Sequence, residues 1–175
     1  MSTEPLVQHK VPVIALACAC LIALLAFGPR SAMGFFQLPI LQDTGWERST
    51  FGLAMALQNL FWGMGQPLFG VIADTFGAWR VLAIGAVLYF AGLVVMAIAP
   101  SPVWWHIGGG VLIGLGVAAC SFGVVLASIA RLVSPEKRSF AFGLGTASGS
   151  AGMFVFAPIS QGLIDALGWS DSLIV

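Results

Sequence analysis

The sequence predicts an all-α fold, a polytopic bundle of transmembrane helices, and three observations predict it. Charged residues make up only 8% of the chain, whereas a soluble domain needs roughly 25% to clothe its surface. Mean hydropathy is +0.99, so lipid rather than water must be the solvent for most of the surface. Apolar runs of about 20 residues or more, the length that spans a ~30 Å hydrocarbon core, recur with short turn-forming connections between them. The 22 glycines suit the same environment, because helices in lipid associate through small residues that let backbones approach.

Five runs are complete: Val11 to about Leu41, Phe51 to Ala73, Val81 to Ala99, Val103 to Ala130, and Phe140 to about Leu167. A sixth begins at about Ser172 and stops after Leu173, Ile174 and Val175. The expectation is one transmembrane unit over residues 1–175, a fragment or truncated product of something longer. The N-terminus reads as an uncleaved first helix, because Glu4 and Lys10 precede an apolar run longer than the 7–15 residues of a signal core. The connections are Asp43-Thr44-Gly45-Trp46, Asp74 to Trp79, Pro100-Ser101-Pro102, Ser134-Pro135-Glu136 and Gly168-Trp169. In the fourth, a Ser N-cap, an N1 proline and a first-turn acid make a sharp helix start. Lys10, Arg80, Arg131, Lys137 and Arg138 fall on one side of the membrane and only Arg48 on the other. That bias places the N-terminus in the cytoplasm.

Several functional classes are excluded. Zero net charge leaves no basic face for nucleic acid. Cys18, Cys20 and Cys120 lie in apolar runs and read as small buried hydrophobes, so neither a metal nor a cofactor is expected. There is no Gly-x-Ser-x-Gly turn, no His-Glu-x-x-His and no acid pair on one helix, so an enzyme is not expected. The expected partners are a small solute and the lipid bilayer.

The seventh cation, Arg30, belongs to neither surface. Ending helix one at Gly28-Pro29 would leave Met33, Phe35, Phe36, Leu38, Ile40 and Leu41 in water, so the helix is expected to continue past Pro29. Arginine inside a membrane costs roughly 2.5–3.5 kcal/mol on insertion scales, and so faces a partner or a wet cavity. Gly34 at i+4 leaves room beside the guanidinium, and Gln37 follows at i+7. A planar fork of five donors suits a carboxylate gripped bidentately. Three readings stay open here: a substrate anion, a structural partner on another helix, or snorkelling to the surface. Ser121, midway along helix four, either faces a cavity or bonds back to its own helix.

Other features read structurally. Asn59, Gly63, Gln66 and Gly70 form one stripe, which reads as an interhelical hydrogen-bonding seam or, alternatively, as substrate contacts, the seam being favoured. Gly110-x-x-x-Gly114 and Gly145-x-x-x-Gly149-x-x-Gly152 are expected close-packing surfaces, and Pro158 a passive kink. His106, beside Trp104 and Trp105, reads as interfacial. Asp74 sits at the C-terminal end of helix two, where the dipole disfavours an acid, so it is expected to pair with Arg80 or with the N-terminus of another helix.

The pattern Gly70-x-x-x-Asp74-x-x-Gly77-x-x-Arg80 resembles the loop 2–3 signature of the major facilitator superfamily, departing at Thr75, Ala78 and Trp79, where that family carries basic residues. Within the superfamily, "GPRSAMGFFQLPI", "GWERSTFGLA" and "GWS" resemble the helix-one, helix-two and pre-helix-six segments of the monocarboxylate-transporter branch. The resemblance covers essentially the whole chain and implies the N-terminal six-helix half of a twelve-helix carrier, its C-terminal half being the missing partner. It further implies secondary active transport of small organic anions, monocarboxylates above all, by alternating access in a bacterial inner membrane, with proton coupling supplied from helix eight. By position, Arg30 takes the carboxylate-binding role, with Gly34, Gln37 and Ser121 beside it. Gly70, Asp74, Gly77 and Arg80 take the gating role. The alternatives are a carrier of another solute class and a truncated fragment that does not transport.

Overall fold

The computed structural model describes residues 13–131 and 133–175. The expected start of helix one at Val11, and the N-terminal segment with Glu4 and Lys10, lie outside the described residues.

Helix α1 (Val13–Thr44) runs unbroken through Pro29 and Pro39. A proline removes one backbone bond, and membrane helices tolerate this where nearby hydroxyls and packing compensate. The missing Pro29 N–H frees the Leu25 carbonyl, and packing holds the helix there: the phenyl ring of Phe156 lies against the bare Cα of Gly28, while Ser31 Oγ donates to the Gly28 carbonyl at 2.8 Å. Helix α2 (Arg48–Phe76) extends about one turn beyond the expected 51–73 at each end. Helix α3 (Ala78–Ala97) starts earlier and ends earlier than the expected 81–99. The connection expected over Asp74 to Trp79 therefore shrinks to Gly77 alone. Its φ of +91° is a conformation that side chains resist, which is why one glycine suffices for the reversal.

The fourth span, α4 (Pro102–Ala130), corrects the expectation of one regular helix over 103–130. It opens with an α-turn at Pro102–Trp105, widens to a π-helix at His106–Leu112, and returns to α-helix over Ile113–Ala119. It then breaks at Cys120-Ser121 and resumes over Phe122–Ala130. The physical reason lies in the neighbours. Gly108 and Gly109 press on Met96 of α3 while Gly110 presses on Leu57 of α2, so three successive residues serve two helices at once. Beyond the break the same span keeps touching α2 and α3 and also packs on α1 and α5.

Helix α5 (Pro135–Leu167) begins at its proline, one turn before the expected Phe140. Ser134 occupies the N-cap in extended conformation but makes no side-chain cap bond; its carbonyl accepts from Lys137 N at 3.0 Å. Helix α6 is a single turn, Trp169–Ser172. It starts before the expected Ser172, and Leu173–Val175 do not extend it. Among the described residues, four spans are long and apolar enough to cross a membrane: α1, α3, α4 and α5. Helix α2, expected as a fifth, is 29 residues long but more polar, with Gln58, Asn59 and Gln66 along it.

Helix α1 packs most extensively on α5, while α2 and α3 pack on the first part of α4. Exchanging α1 with α4 and α2 with α5 maps the first pairing onto the second, as inverted repeats of three helices require. The expected glycine seams carry these contacts. A Cβ on Gly114 would meet Gln58 of α2 at 2.8 Å, and one on Gly152 would meet the Leu24 Cα of α1 at 3.0 Å. Much of the outside is apolar, with Ile14 and Phe154 both 82% exposed, as a lipid-facing surface demands.

Candidate functional site

Because α1 continues past Pro29, Arg30 stands 14 residues before its last residue, about 21 Å along the axis. The side chain is half-buried. Its terminal nitrogen Nη2 donates to Asn59 Oδ1 of α2 at 2.6 Å, and the guanidinium carbon lies 4.6 Å from the ring centroid of Trp62. The Trp62 face supplies a cation–π contact, which gains strength where water is scarce. Among the described residues the one ion pair joins Asp74 and Arg131, so no carboxylate there neutralises Arg30. Arg30 Nε, Trp62 Nε1 and Tyr89 Oη are buried with no hydrogen-bond partner among the described residues.

An aromatic layer supports this group from below. Phe27, one turn before Arg30, stacks on Phe122 at 4.4 Å between ring centroids, with planes 10° apart. It also meets Trp62 edge-on at 6.1 Å. Phe122 follows the break in α4, so the break brings a ring from α4 against α1.

The other expected substrate residues are partly gathered. Gly34 is exposed, with open space where a Cβ would stand, on the same side of α1 as Arg30. Gln37 is half-buried further along α1. Ser121 is buried at the break itself, as N-cap of the Phe122–Ala130 segment, and its hydroxyl makes no cap bond. Sequence reasoning picked out Asn59 as a polar position of α2 but not as the partner of Arg30, and it missed Trp62. The expected seam of Asn59, Gly63, Gln66 and Gly70 holds only at Asn59, which bonds Arg30 across to α1; a Cβ at Gly63 or Gly70 would have nothing within 4 Å, and Gln66 is exposed. The buried interhelical bond belongs to Gln58, whose Nε2 donates to the Gly109 carbonyl at 2.9 Å. At the same end as Trp46, the His106 ring nitrogen Nε2 lies 3.0 Å from the Thr50 carbonyl oxygen and ties α4 to α2.

At the other end of the bundle, Asp74 bonds neither of its expected partners. It accepts from Arg131 Nη2 at 2.6 Å, at the close of α4. Arg80 instead donates to the Phe76 carbonyl at 2.7 Å and lies over the ring of Trp79, 5.2 Å from its centroid. Packing of α2 on α4 carries Asp74 to Arg131, while Arg80 is held locally by the Gly77 reversal.

Comparison with known proteins agrees with this architecture. Residues 18–174 match the Major Facilitator Superfamily. Monocarboxylate transporter 11 of Mus musculus is 33% identical over 134 residues, which cover 77% of this chain and 28% of that protein. Monocarboxylate transporter 12 of Rattus norvegicus is 28% identical over 109 residues, covering 62% of this chain and 22% of that one. The Hippocampus abundant transcript 1 protein of Mus musculus is 30% identical over 175 residues, covering 98% of this chain and 32% of that protein. The chain thus spans about a third or less of the length of these relatives. A bundle of lipid-facing helices matched over nearly its full length places the chain in the major facilitator superfamily of multi-pass membrane transporters, and not among enzymes.

Proposed function

We propose that this chain is the N-terminal transmembrane half-domain, over residues 1–175, of a secondary active carrier of small organic anions, monocarboxylates in particular. The observation that carries the reading is Arg30, a charge in the middle of α1 with no carboxylate partner among the described residues. A charge that expensive is retained where a ligand completes it. Carboxylate oxygens would take the guanidinium donors left free by Asn59, beside the open space at Gly34, with Gln37 and Ser121 as further polar contacts. Alternating access would carry the anion as the two halves rock about it. Gly70, Asp74, Gly77 and Arg80 would govern closure at the cytoplasmic side, to which Asp74 brings Arg131. Proton symport, a bacterial inner-membrane location and a cytoplasmic N-terminus belong to the same reading. Two relatives are named as monocarboxylate transporters, which supports it.

The test uses the polypeptide that carries this chain, as the cell makes it, in proteoliposomes. Uptake of labelled lactate, pyruvate and a neutral sugar is compared for wild type, Arg30→Lys and Arg30→Ala. Carboxylate uptake is expected to fall by at least about 100-fold in Arg30→Ala, matching loss of a buried charge-assisted contact, and to survive in part in Arg30→Lys. Normal carboxylate uptake by a folded Arg30→Ala protein overturns the reading.

A further inference from the structure

Two α2 side chains three residues apart reach the same guanidinium. Asn59 Oδ1 accepts from Arg30 Nη2 at 2.6 Å, and the indole of Trp62 lies against the guanidinium plane. The Asn59 amide does not turn freely, because its Nδ2 donates to the Met55 carbonyl at 2.8 Å and so keeps Oδ1 directed at Arg30. The chain Met55 carbonyl, Asn59 amide, Arg30 guanidinium thus runs from the α2 backbone to a side chain of α1. Helices α1 and α2 otherwise meet only sparsely. A long flexible stem is in this way held at two points, one on a terminal nitrogen and one on the face.

The chemistry of the contact matters as much as its position. An amide oxygen takes one donor and leaves the positive charge intact, whereas a carboxylate there would cancel it. Among the described residues the other donors of the fork have no protein acceptor. We propose that Asn59 is a positioning residue, which holds Arg30 oriented and still charged for the arriving anion, and that the neutrality of its amide is the property the site requires. The proposal rests on the reading of Arg30 as the anion-binding group. Asn59 is itself exposed on its helix, so its replacement spares the packed core.

The experiment measures initial rates of pyruvate uptake against concentration, in proteoliposomes of the polypeptide as the cell makes it, with melting temperatures in parallel. Asn59→Ala is expected to raise KM about tenfold while the maximal rate stays within about twofold, because binding loses its pre-oriented partner. Asn59→Asp is expected to cut uptake by at least about 100-fold without lowering the melting temperature, because an internal carboxylate competes with the substrate for the same donors. Unchanged kinetics in both variants overturn the positioning role, as does a fall in maximal rate with KM unchanged in Asn59→Ala. If Asn59→Asp fails to fold, the KM of Asn59→Ala decides alone. Arg30→Ala in the same assay separates the two ideas. Intact uptake there refutes the anion site itself, while lost uptake beside wild-type behaviour of both Asn59 variants refutes only the role of Asn59.

Discussion

Replacing Gly152 by alanine probes the α1–α5 packing most directly. A Cβ at this position would collide with the carbonyl oxygen of Leu24, with Leu24 Cα at 3.0 Å and its carbonyl carbon at 3.1 Å. Ordinary contact begins at 3.4 Å. All three atoms are backbone, so no rotamer change relieves them and the helices must separate. Opening a packed surface by 0.5–1 Å forfeits about a quarter to a half of the dispersion energy at each atom pair. Overpacking of this kind costs about 1–3 kcal/mol. Alanine returns about 1 kcal/mol through its better helix propensity, which leaves a net loss of about 0–2 kcal/mol. Gly143, on the same helix with nothing within 4 Å, is the control. Gly143→Ala keeps the propensity gain without the clash, so the two variants should differ by about 1–3 kcal/mol. Equilibrium unfolding in mixed micelles, followed by far-UV circular dichroism, reads the difference. If Gly152→Ala proves at least as stable as Gly143→Ala, the close approach of the two backbones is not what holds α1 to α5.

Two further outcomes follow from the contacts between helices. Gln58→Leu removes a buried interhelical bond to the π-helical stretch of α4 and leaves the Gly109 carbonyl without that donor. It should destabilise the chain by about 1 kcal/mol in the same unfolding assay, within the range found for such bonds in membrane proteins. The Asp74–Arg131 pair, with side chains 69% and 63% exposed, should show a coupling energy under about 1 kcal/mol in a double-mutant cycle of Asp74→Asn and Arg131→Gln. That coupling should shrink further when the cycle is repeated at about 1 M salt, where the screening length falls to about 3 Å.

How far the sequence reaches depends on whether a feature is local. Arg30 inside α1 is legible because Ser31 to Leu41 is too apolar to be a loop, whatever surrounds it. The close-packing role of Gly114 and Gly152 is legible for the same reason: bare backbone in a lipid helix invites another backbone. The break at Cys120-Ser121 is not legible, since no proline marks it. It lies where α4, which packs on α2 and α3 along its first part, also takes up α1 and α5. The partner of Asp74 shows the same limit. Several cations share its end of the bundle, and only the packing of α2 on α4 selects Arg131 over the nearer-in-sequence Arg80.

The candidate site divides along that line. Composition and periodicity determine a lipid-embedded helical bundle with one arginine in its middle, because the cost of water on apolar faces and of charge in lipid is set residue by residue. Family membership, too, rests on motifs along the chain. The environment of the arginine is decided by tertiary structure. Asn59 and Trp62 lie 29 and 32 positions away in sequence, on a helix whose rotation about its own axis no local pattern specifies. Their reach to the guanidinium comes from how α2 seats its Gln58 and Leu57 on the glycines of α4, and that contact turns Asn59 toward α1.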